Sequence, residues 1–363
     1  MKKVVVAMSG GVDSAVAAYL LVQEGYDVLG ITMQIWQSED PDMVASKGGC
    51  CGMTAAEDAR FVCHALGVPH YVLNFRDVFR ETVIDYFAKE YRVGRTPNPC
   101  IACNRYVKWQ SLLDKVVELE ADFIATGHYA QIVRHEETGR LTILAADNAK
   151  DQSYALYNLT QEQLARTLFP IGAMPKDEVR HLAAQKIGLR VAHKPDSQEI
   201  CFIPDDDHAR FLQEYFGEEL APGDFIDEQG RVLGRHKGIG AYTIGQRKGL
   251  GMAFGRPMYV KHIDAASGRV VLADDAALFT RGMAVEDVNF MSHEEIAEPM
   301  RCFGKIRYSH KAAPCVISYA DGMLSCTFDE AQRAITPGQS AVFYDGAGRI
   351  ICGGIIMAPP TSV

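Results

Sequence analysis

Ser9-Gly10-Gly11-Val12-Asp13-Ser14 is the stretch whose reading decides the fold. It follows the apolar run Val4-Val5-Val6-Ala7-Met8 and leads into Ala15-Val16-Ala17-Ala18-Tyr19-Leu20-Leu21, where apolar residues recur at helical spacing. That order predicts a strand, a tight glycine turn and the start of a helix. Two glycines let a ligand approach the backbone, successive N–H groups point inward, and the helix N-terminus adds positive potential, so the turn suits a phosphate. A plain glycine turn joining strand to helix is the alternative, and both flanks together with the Asp13-Ser14 pair weigh against it.

The kinase-type loop G-x-x-x-x-G-K-[ST] is absent, and no lysine lies within the turn to reach a terminal phosphate. S-G-G-x-D-S instead resembles the pyrophosphatase-type loop of ATP enzymes that attack the α-phosphorus, form an adenylate and release pyrophosphate.

Outward from this loop, Val28-Leu29-Gly30-Ile31-Thr32-Met33 reads as a second buried strand, whose C-terminal end places Met33 beside a bound nucleotide. Residues 37 to 53 are polar and glycine-rich and read as a loop; its Cys50 and Cys51 receive no function. Thr54-Ala55-Ala56-Glu57 reads as a capping box opening a helix that closes at Gly67, before the strand His70–Asn74. A helix over 77–92, a loop from Thr96 to Asn104, a helix over 106–119 and the strand Asp122–Thr126 follow. Strand and helix alternate, so the expected class is α/β with a parallel, doubly wound nucleotide-binding sheet. Gly127-His128-Tyr129-Ala130 then follows a strand end, which puts Gly127 and His128 toward the same crevice as the first loop.

From about 205 the texture changes to short alternating runs such as Met258–Ile263 and Arg269–Ala273, which predict a small mixed α+β domain. From about 280 more short strands (Lys305–Tyr308, Cys315–Tyr319, Ser340–Tyr344, Ile350–Ile356) predict a C-terminal β-barrel. The expected domains are 1–205, 206–279 and 280–363.

The chain has 363 residues and is 48% hydrophobic, enough for packed cores in two or three domains. No apolar run approaches the roughly 20 residues that span a bilayer, and the Met1-Lys2-Lys3 start runs directly into a strand, so a cytoplasmic protein without membrane contact is expected. Ten cysteines in a chain this long are not a small secreted disulfide framework. The net charge of −9 confines any RNA contact to local basic stretches. Three are free of Asp and Glu: 231–262 with Arg231, Arg235, Lys237, Arg247, Lys248, Arg256 and Lys261; Tyr91–Leu113 with Arg92, Arg95, Arg105 and Lys108; and Met300–Ala320 with Arg301, Lys305, Arg307 and Lys311 beside Tyr308.

Arg95-Thr96-Pro97-Asn98-Pro99-Cys100-Ile101-Ala102-Cys103-Asn104-Arg105 sets two cysteines in a proline-stiffened loop flanked by arginines, and positive neighbours favour the nucleophilic thiolate. Lys194-Pro195-Asp196-Ser197-Gln198-Glu199-Ile200-Cys201-Phe202 carries an isolated cysteine far away in sequence. Structural zinc lacks a second pair of ligands, and a thioredoxin-type C-x-x-C belongs at a helix start near the first βαβ unit, which the phosphate loop already occupies. An iron–sulfur cluster on Cys100, Cys103 and Cys201 with one open iron is the remaining metal reading.

An adenylating loop combined with reactive cysteines fits replacement of an activated oxygen by sulfur. On these motifs, in order with Lys150-Asp151-Gln152-Ser153-Tyr154 and Tyr242–Gly251, the whole chain resembles the bacterial tRNA-specific 2-thiouridylases. The resemblance implies ATP-dependent 2-thiolation of the wobble uridine of tRNA, with release of AMP and pyrophosphate and with Mg²⁺ on the pyrophosphate. It implies that Cys201 receives sulfur as a persulfide from a carrier protein. Cys103 would then be the nucleophile that helps release sulfide or forms a disulfide with Cys201. By the same carry-over Ala7, Met8, Ser9, Gly10, Gly11, Val12, Asp13, Ser14, Met33 and Gly127 hold ATP. Asn98, Pro99 and Cys100 contact the target base, and His128, Lys150, Asp151, Gln152, Arg307, Tyr308 and Gln339 contact the tRNA. Some relatives have aspartate where this chain has Cys100, so an acid–base role there does not transfer to the thiol. A monomer is expected. The competing readings are a small-molecule adenylating ligase or amidotransferase with the same loop, and a non-enzymatic RNA-binding protein.

Overall fold

In the computed structural model, residues 1–36, 53–147, 150–187, 200–217 and 220–357 are described. Cys50 and Cys51, and most of the segment leading to Cys201, lie outside them.

Three consecutive valines, Val4 to Val6, have no exposed surface, as the middle strand of a sheet covered on both faces requires. Each contributes roughly 1.5–3 kcal/mol of burial. This strand, β1 (Lys3–Ala7), leads through the glycine turn into α1 (Val12–Gln23). After β2 (Asp27–Gln34) come α2 (Met53–Leu66), β3 (His70–Asn74), β4 (Phe123–Ala125), the hairpin β5 (Ala130–Arg134) and β6 (Leu141–Ala145), and β7 (Thr167–Leu168). The main sheet runs β3-β2-β1-β4-β7 with every pairing parallel. Val5 stands opposite both Leu29 and Ile124, so the glycine turn lies at the C-terminal edge of the central strand. Val12, Val16 and Leu21 of α1 join Val4, Val6 and Met8 in one core.

Two helices depart from the expected outline. A π-helical stretch, Arg80–Ile84, joins Arg76–Phe79 to Asp85–Arg92. The second helix starts at Pro99 and continues through a π-helical stretch, Cys103–Leu112, to Glu118. The C-x-x-C therefore opens a helix where a loop was expected: proline has no N–H to lose at a first helical position, and its fixed φ suits it. Thr54 falls inside α2, which already begins at Met53, and not at a cap.

The chain divides into two compact units, one of Met1–Val83, Cys100–Asp206 and Gly348–Ile350, the other of Ile84–Pro99, Asp207–Ala347 and the residues from Ile351 on. In the second unit a helix, His208–Phe216, is capped by the Asp207 side chain and ends at Gly217 in the left-handed region. Beside it in sequence are β8 (Gly223–Ile226), β9 (Val232–His236), β10 (Tyr259–Asp264) and β11 (Arg269–Ala273), a mixed sheet in the order β10-β11-β8-β9 around Phe225, Val260 and Leu272.

The last strands are β12 (Phe279–Phe290), β13 (Met300–Lys305), β14 (Ala313–Ala320), β15 (Met323–Arg333), β16 (Ser340–Tyr344) and β17 (Ile350–Ile356). They close into an antiparallel barrel in the order β12-β15-β14-β13-β16-β17. Parallel α/β sheet, small mixed α+β domain and C-terminal barrel agree with the expected class. Ile306, Arg307 and Tyr308, expected in a strand, instead form the bend after β13. Four cysteines, Cys302, Cys315, Cys326 and Cys352, are buried in the barrel core, with the Cys302 and Cys315 sulfurs 3.5 Å apart on paired strand positions.

Candidate functional site

The turn is tied together by its own serines. Ser14 Oγ accepts from the Ser9 N–H at 3.2 Å, donates to the Gly11 carbonyl at 3.2 Å and meets Ser9 Oγ at 3.2 Å. Gly10 sits at φ +69°, a conformation that favours glycine, and Gly11 is the extended residue preceding α1. Gly11, with no side chain, offers the helix no cap, so the first N–H groups of α1 point toward whatever the turn holds. Met33 lies just beyond Ile31, the partner of Ala7, on the adjacent strand.

Gly127 closes the other side. A Cβ there would lie 2.7 Å from both the Asp13 carbonyl carbon and the Ser14 nitrogen, so only glycine lets the end of β4 meet the start of α1. Asp13 in turn carries two partners that the sequence did not announce. Lys176 Nζ stands 2.8 Å from each of its carboxylate oxygens, and Tyr129 donates its hydroxyl to Oδ1 at 2.7 Å.

The C-x-x-C belongs to the same unit. Cys100 is exposed and Cys103 half-buried. Burial pushes the Cys103 thiol up to about 11; the Lys108 ammonium works the other way, and Cys100 adds to the rise. The expected thiolate is thus not the resting form, because desolvation of the charged sulfur outweighs its cationic neighbours. Lys108 is held by Asn104 Oδ1 at 2.8 Å, and buried Asn104 donates to the Ala155 carbonyl at 2.8 Å. His128 packs between Trp109 and Phe169 and bonds Thr126 Oγ1 at 2.6 Å through Nδ1. Burial first and Lys108 second hold its pKa well below the usual value, so it is a neutral imidazole at pH 7.

Cys201 is exposed on a turn anchored by buried Phe202, whose ring meets Phe79 and Trp36 edge-on. Cys103 forms no disulfide. Among the described residues, no group of three or more His, Cys, Asp or Glu is arranged to hold a metal ion. Cys100, Cys103 and Cys201 are all described and form no such group, so the cluster reading of these three thiols finds no site here.

The turn carrying Lys150 is closed by its neighbours: Asp151 accepts from the backbone of Ala146 and Ser153 and from Ser153 Oγ, and Gln152 accepts from the Tyr129 N–H. In the second unit Tyr308 is 46% exposed beneath the Lys305 ammonium, and Arg307 donates to the Arg333 carbonyl. Gln339 donates Nε2 to the carbonyls of Thr96, at 2.9 Å, and Pro97, at 3.4 Å, while Pro337 accepts from the Thr96 N–H. Of the basic stretch 231–262, Arg231, Arg235, Arg256 and Lys261 pair with Asp227, Asp224, Asp274 and Glu228. Lys237, Arg247 and Lys248 remain exposed with no ion pair among the described residues.

Three family models match in series: the tRNA methyl transferase HUP domain over residues 2–205, the tRNA methyl transferase PRC-barrel domain over 209–274 and the aminomethyltransferase β-barrel domain over 280–356. The tRNA-specific 2-thiouridylase MnmA of Lachnoclostridium phytofermentans is 54% identical over 98% of this chain and 99% of its own. That of Clostridioides difficile is 52% identical over 98% of each chain. The chain belongs to the tRNA-specific 2-thiouridylase family. A solved NMN synthetase from Francisella tularensis is far more distant, at 16% identity and a TM-score of 0.34 over 61% of this chain and 79% of that one.

For a 2-thiouridylase-family chain, Lys176 and Tyr129 are the site residues that motif reading passed over. Tyr129 lay inside a quoted motif beside His128 and Gly127. Lys176 sits just past Pro175 after the parallel strand β7, a strand-to-helix crossing like that of the first loop and its one available signal.

Proposed function

We propose that this chain is an ATP-dependent tRNA-uridine 2-sulfurtransferase acting on the wobble uridine. The observation that carries the reading is one unit holding both a glycine turn built for phosphate and a C-x-x-C at a helix start, in a chain 54% identical to a 2-thiouridylase along nearly its whole length. Residues 1–205 adenylate, while 206–279 and the barrel of 280–363 hold the tRNA, with Arg307, Tyr308, Gln339, His128 and Lys150–Gln152 toward it.

Ala7 to Ser14, Met33 and Gly127 bind ATP, which suits a turn stripped of side chains at Gly10, Gly11 and Gly127. The partly exposed Asp13 carboxylate is the oxygen this loop would offer a Mg²⁺ bound with the nucleotide, and the ion would neutralise charge on the pyrophosphate. Asn98, Pro99 and Cys100 present the uridine. Its O2 attacks the α-phosphorus, and the Pα–O bond to pyrophosphate breaks. The terminal sulfur of a Cys201 persulfide, delivered by a carrier protein, then attacks C2, and AMP leaves with the electron pair of the C2–O bond. Cys103 as thiolate attacks the Cys201 sulfur; the S–S electron pair returns to the sulfur on C2, and a Cys103–Cys201 disulfide forms for a thiol reductant to reopen. The protein works as a cytoplasmic monomer.

Pyrophosphate release with and without tRNA tests this. It is expected only with tRNA and to be lost in Asp13→Ala, whereas turnover without RNA would assign the chain to small-molecule ligation. In labelling from a persulfide donor, Cys201→Ser accepts no sulfur, and Cys103→Ser accepts it without passing it to tRNA.

A further inference from the structure

The phosphate turn has no lysine of its own, yet the fold brings one to it. Lys176 follows β7 and opens the helix Lys176–Leu182, and its Nζ reaches both oxygens of Asp13 at 2.8 Å, with its side chain 12% and that of Asp13 30% exposed. Tyr129 braces the arrangement from below: its hydroxyl bonds the same carboxylate and its ring lies 5.6 Å from the ammonium.

An anion on the Gly10-Gly11 turn would meet the Asp13 carboxylate in the first turn of α1. A triphosphate carries three or more negative charges there, and adenylation moves further charge onto the departing β-phosphate oxygen. A turn of neutral N–H groups beside a carboxylate cannot balance that alone; beside any Mg²⁺ that comes with the nucleotide, the ammonium already held at the carboxylate adds a cation fixed by the fold.

We propose that Lys176 is a catalytic residue of the adenylation step, resting on Asp13 until the triphosphate enters and then bonding the phosphate oxygens that leave as pyrophosphate. The proposal rests on the adenylating function above. The uridine O2 lone pair forms the new bond to the α-phosphorus, the Pα–O bond to pyrophosphate breaks, and its electron pair goes to the β-phosphate oxygen. Lys176 keeps its proton throughout and supplies charge.

The test compares the parent with Lys176→Met and Lys176→Arg for tRNA-dependent pyrophosphate release and for product inhibition by pyrophosphate and, separately, by AMP. In Lys176→Met, release is expected to fall about 100- to 1000-fold and pyrophosphate inhibition to weaken about tenfold or more. AMP inhibition, and labelling of Cys201 from a persulfide donor, should stay at parent values. Release at the parent rate, or equal weakening of both inhibitors, would overturn the proposal. Should Lys176→Met fail to fold, Lys176→Arg, which keeps the charge on Asp13, carries the test: weaker pyrophosphate inhibition with unchanged AMP inhibition is expected, and two unchanged constants would overturn it. A parent that releases no pyrophosphate with tRNA would refute the adenylating function itself, a result separable from the others.

Discussion

Gly10 lies so close to the backbone of Ala55 that a Cβ on it would stand 2.3 Å from the Ala55 carbonyl oxygen. The start of α2 is therefore seated on the phosphate turn. Gly10→Ala has to push back that backbone and hold alanine at φ +69°, the latter alone costing about 1–2 kcal/mol. Gly25→Ala is the matched control, with φ +81° and nothing within 4 Å. Urea unfolding should show a clearly larger loss for Gly10→Ala; equal losses would mean that α2 yields freely.

The Cys103 thiol, pushed up to about 11, sets a pH dependence. Below that value the fraction of thiolate rises about tenfold per pH unit, so alkylation of Cys103 should keep accelerating past pH 9, where an ordinary exposed cysteine levels off. Lys108 opposes the rise, so Lys108→Met should push the thiol higher and slow alkylation at any fixed pH. The same change removes one of the two influences holding His128 low, and its imidazole should titrate at a higher pH. Proton NMR of the ring and mass-spectrometric alkylation rates read the two effects, and opposite directions would refute the placement of Lys108 between them.

Exposed Arg247 and Lys248 should act as phosphate contacts. Replacing either by glutamine is expected to weaken tRNA binding and to lower the slope of log K against log salt by about 1. Arg256, paired with Asp274 at 3.2 Å, is the contrast, with a small effect. Filter binding at several salt concentrations decides, and an unchanged slope for both exposed residues would remove this stretch from the interface.

Gln339 divides its amide between two carbonyls of the segment that runs into Asn98, Pro99 and Cys100. Gln339→Leu frees that segment, so thiolation at saturating tRNA should fall about tenfold in addition to the affinity lost with its contact to the tRNA. Lost affinity at an undiminished saturated rate would confine Gln339 to its tRNA contact and remove the role of its bonds to Thr96 and Pro97.

The strand, glycine turn and helix were legible because their signal is local: glycines, a serine pair and apolar runs of two different periods within twenty residues or so. The parallel class of the sheet followed from the same alternation. Lys176 was not legible, because the distance from Asp13 along the chain hides a contact that only the parallel β4–β7 pairing creates. The helix start at Pro99 was missed since two prolines suggest a stiff loop, although the second is well placed as a first helical residue. The charge state of Cys103 went astray for a different reason. Flanking arginines are visible in sequence and burial is not, and Arg95 is in fact occupied by Glu90 and Glu286. Likewise the acid-free stretch 231–262 finds its acids across neighbouring strands and turns, at Asp224, Asp227, Glu228 and Asp274.

The barrel keeps Cys302, Cys315, Cys326 and Cys352 out of solvent. Hydrogen bonding to Cys315 together with burial holds Cys302 and Cys326 protonated, and burial does the same for Cys352, while those same hydrogen bonds lower Cys315 to about 5 against its burial. On the persulfide route proposed above, sulfane sulfur trapped on the wrong thiol would be lost to the tRNA, and the paired barrel strands cover these four sulfurs. The closed sheet thus acts as a quarantine, keeping these four sulfurs from the persulfide proposed at Cys201 while the barrel stays shut.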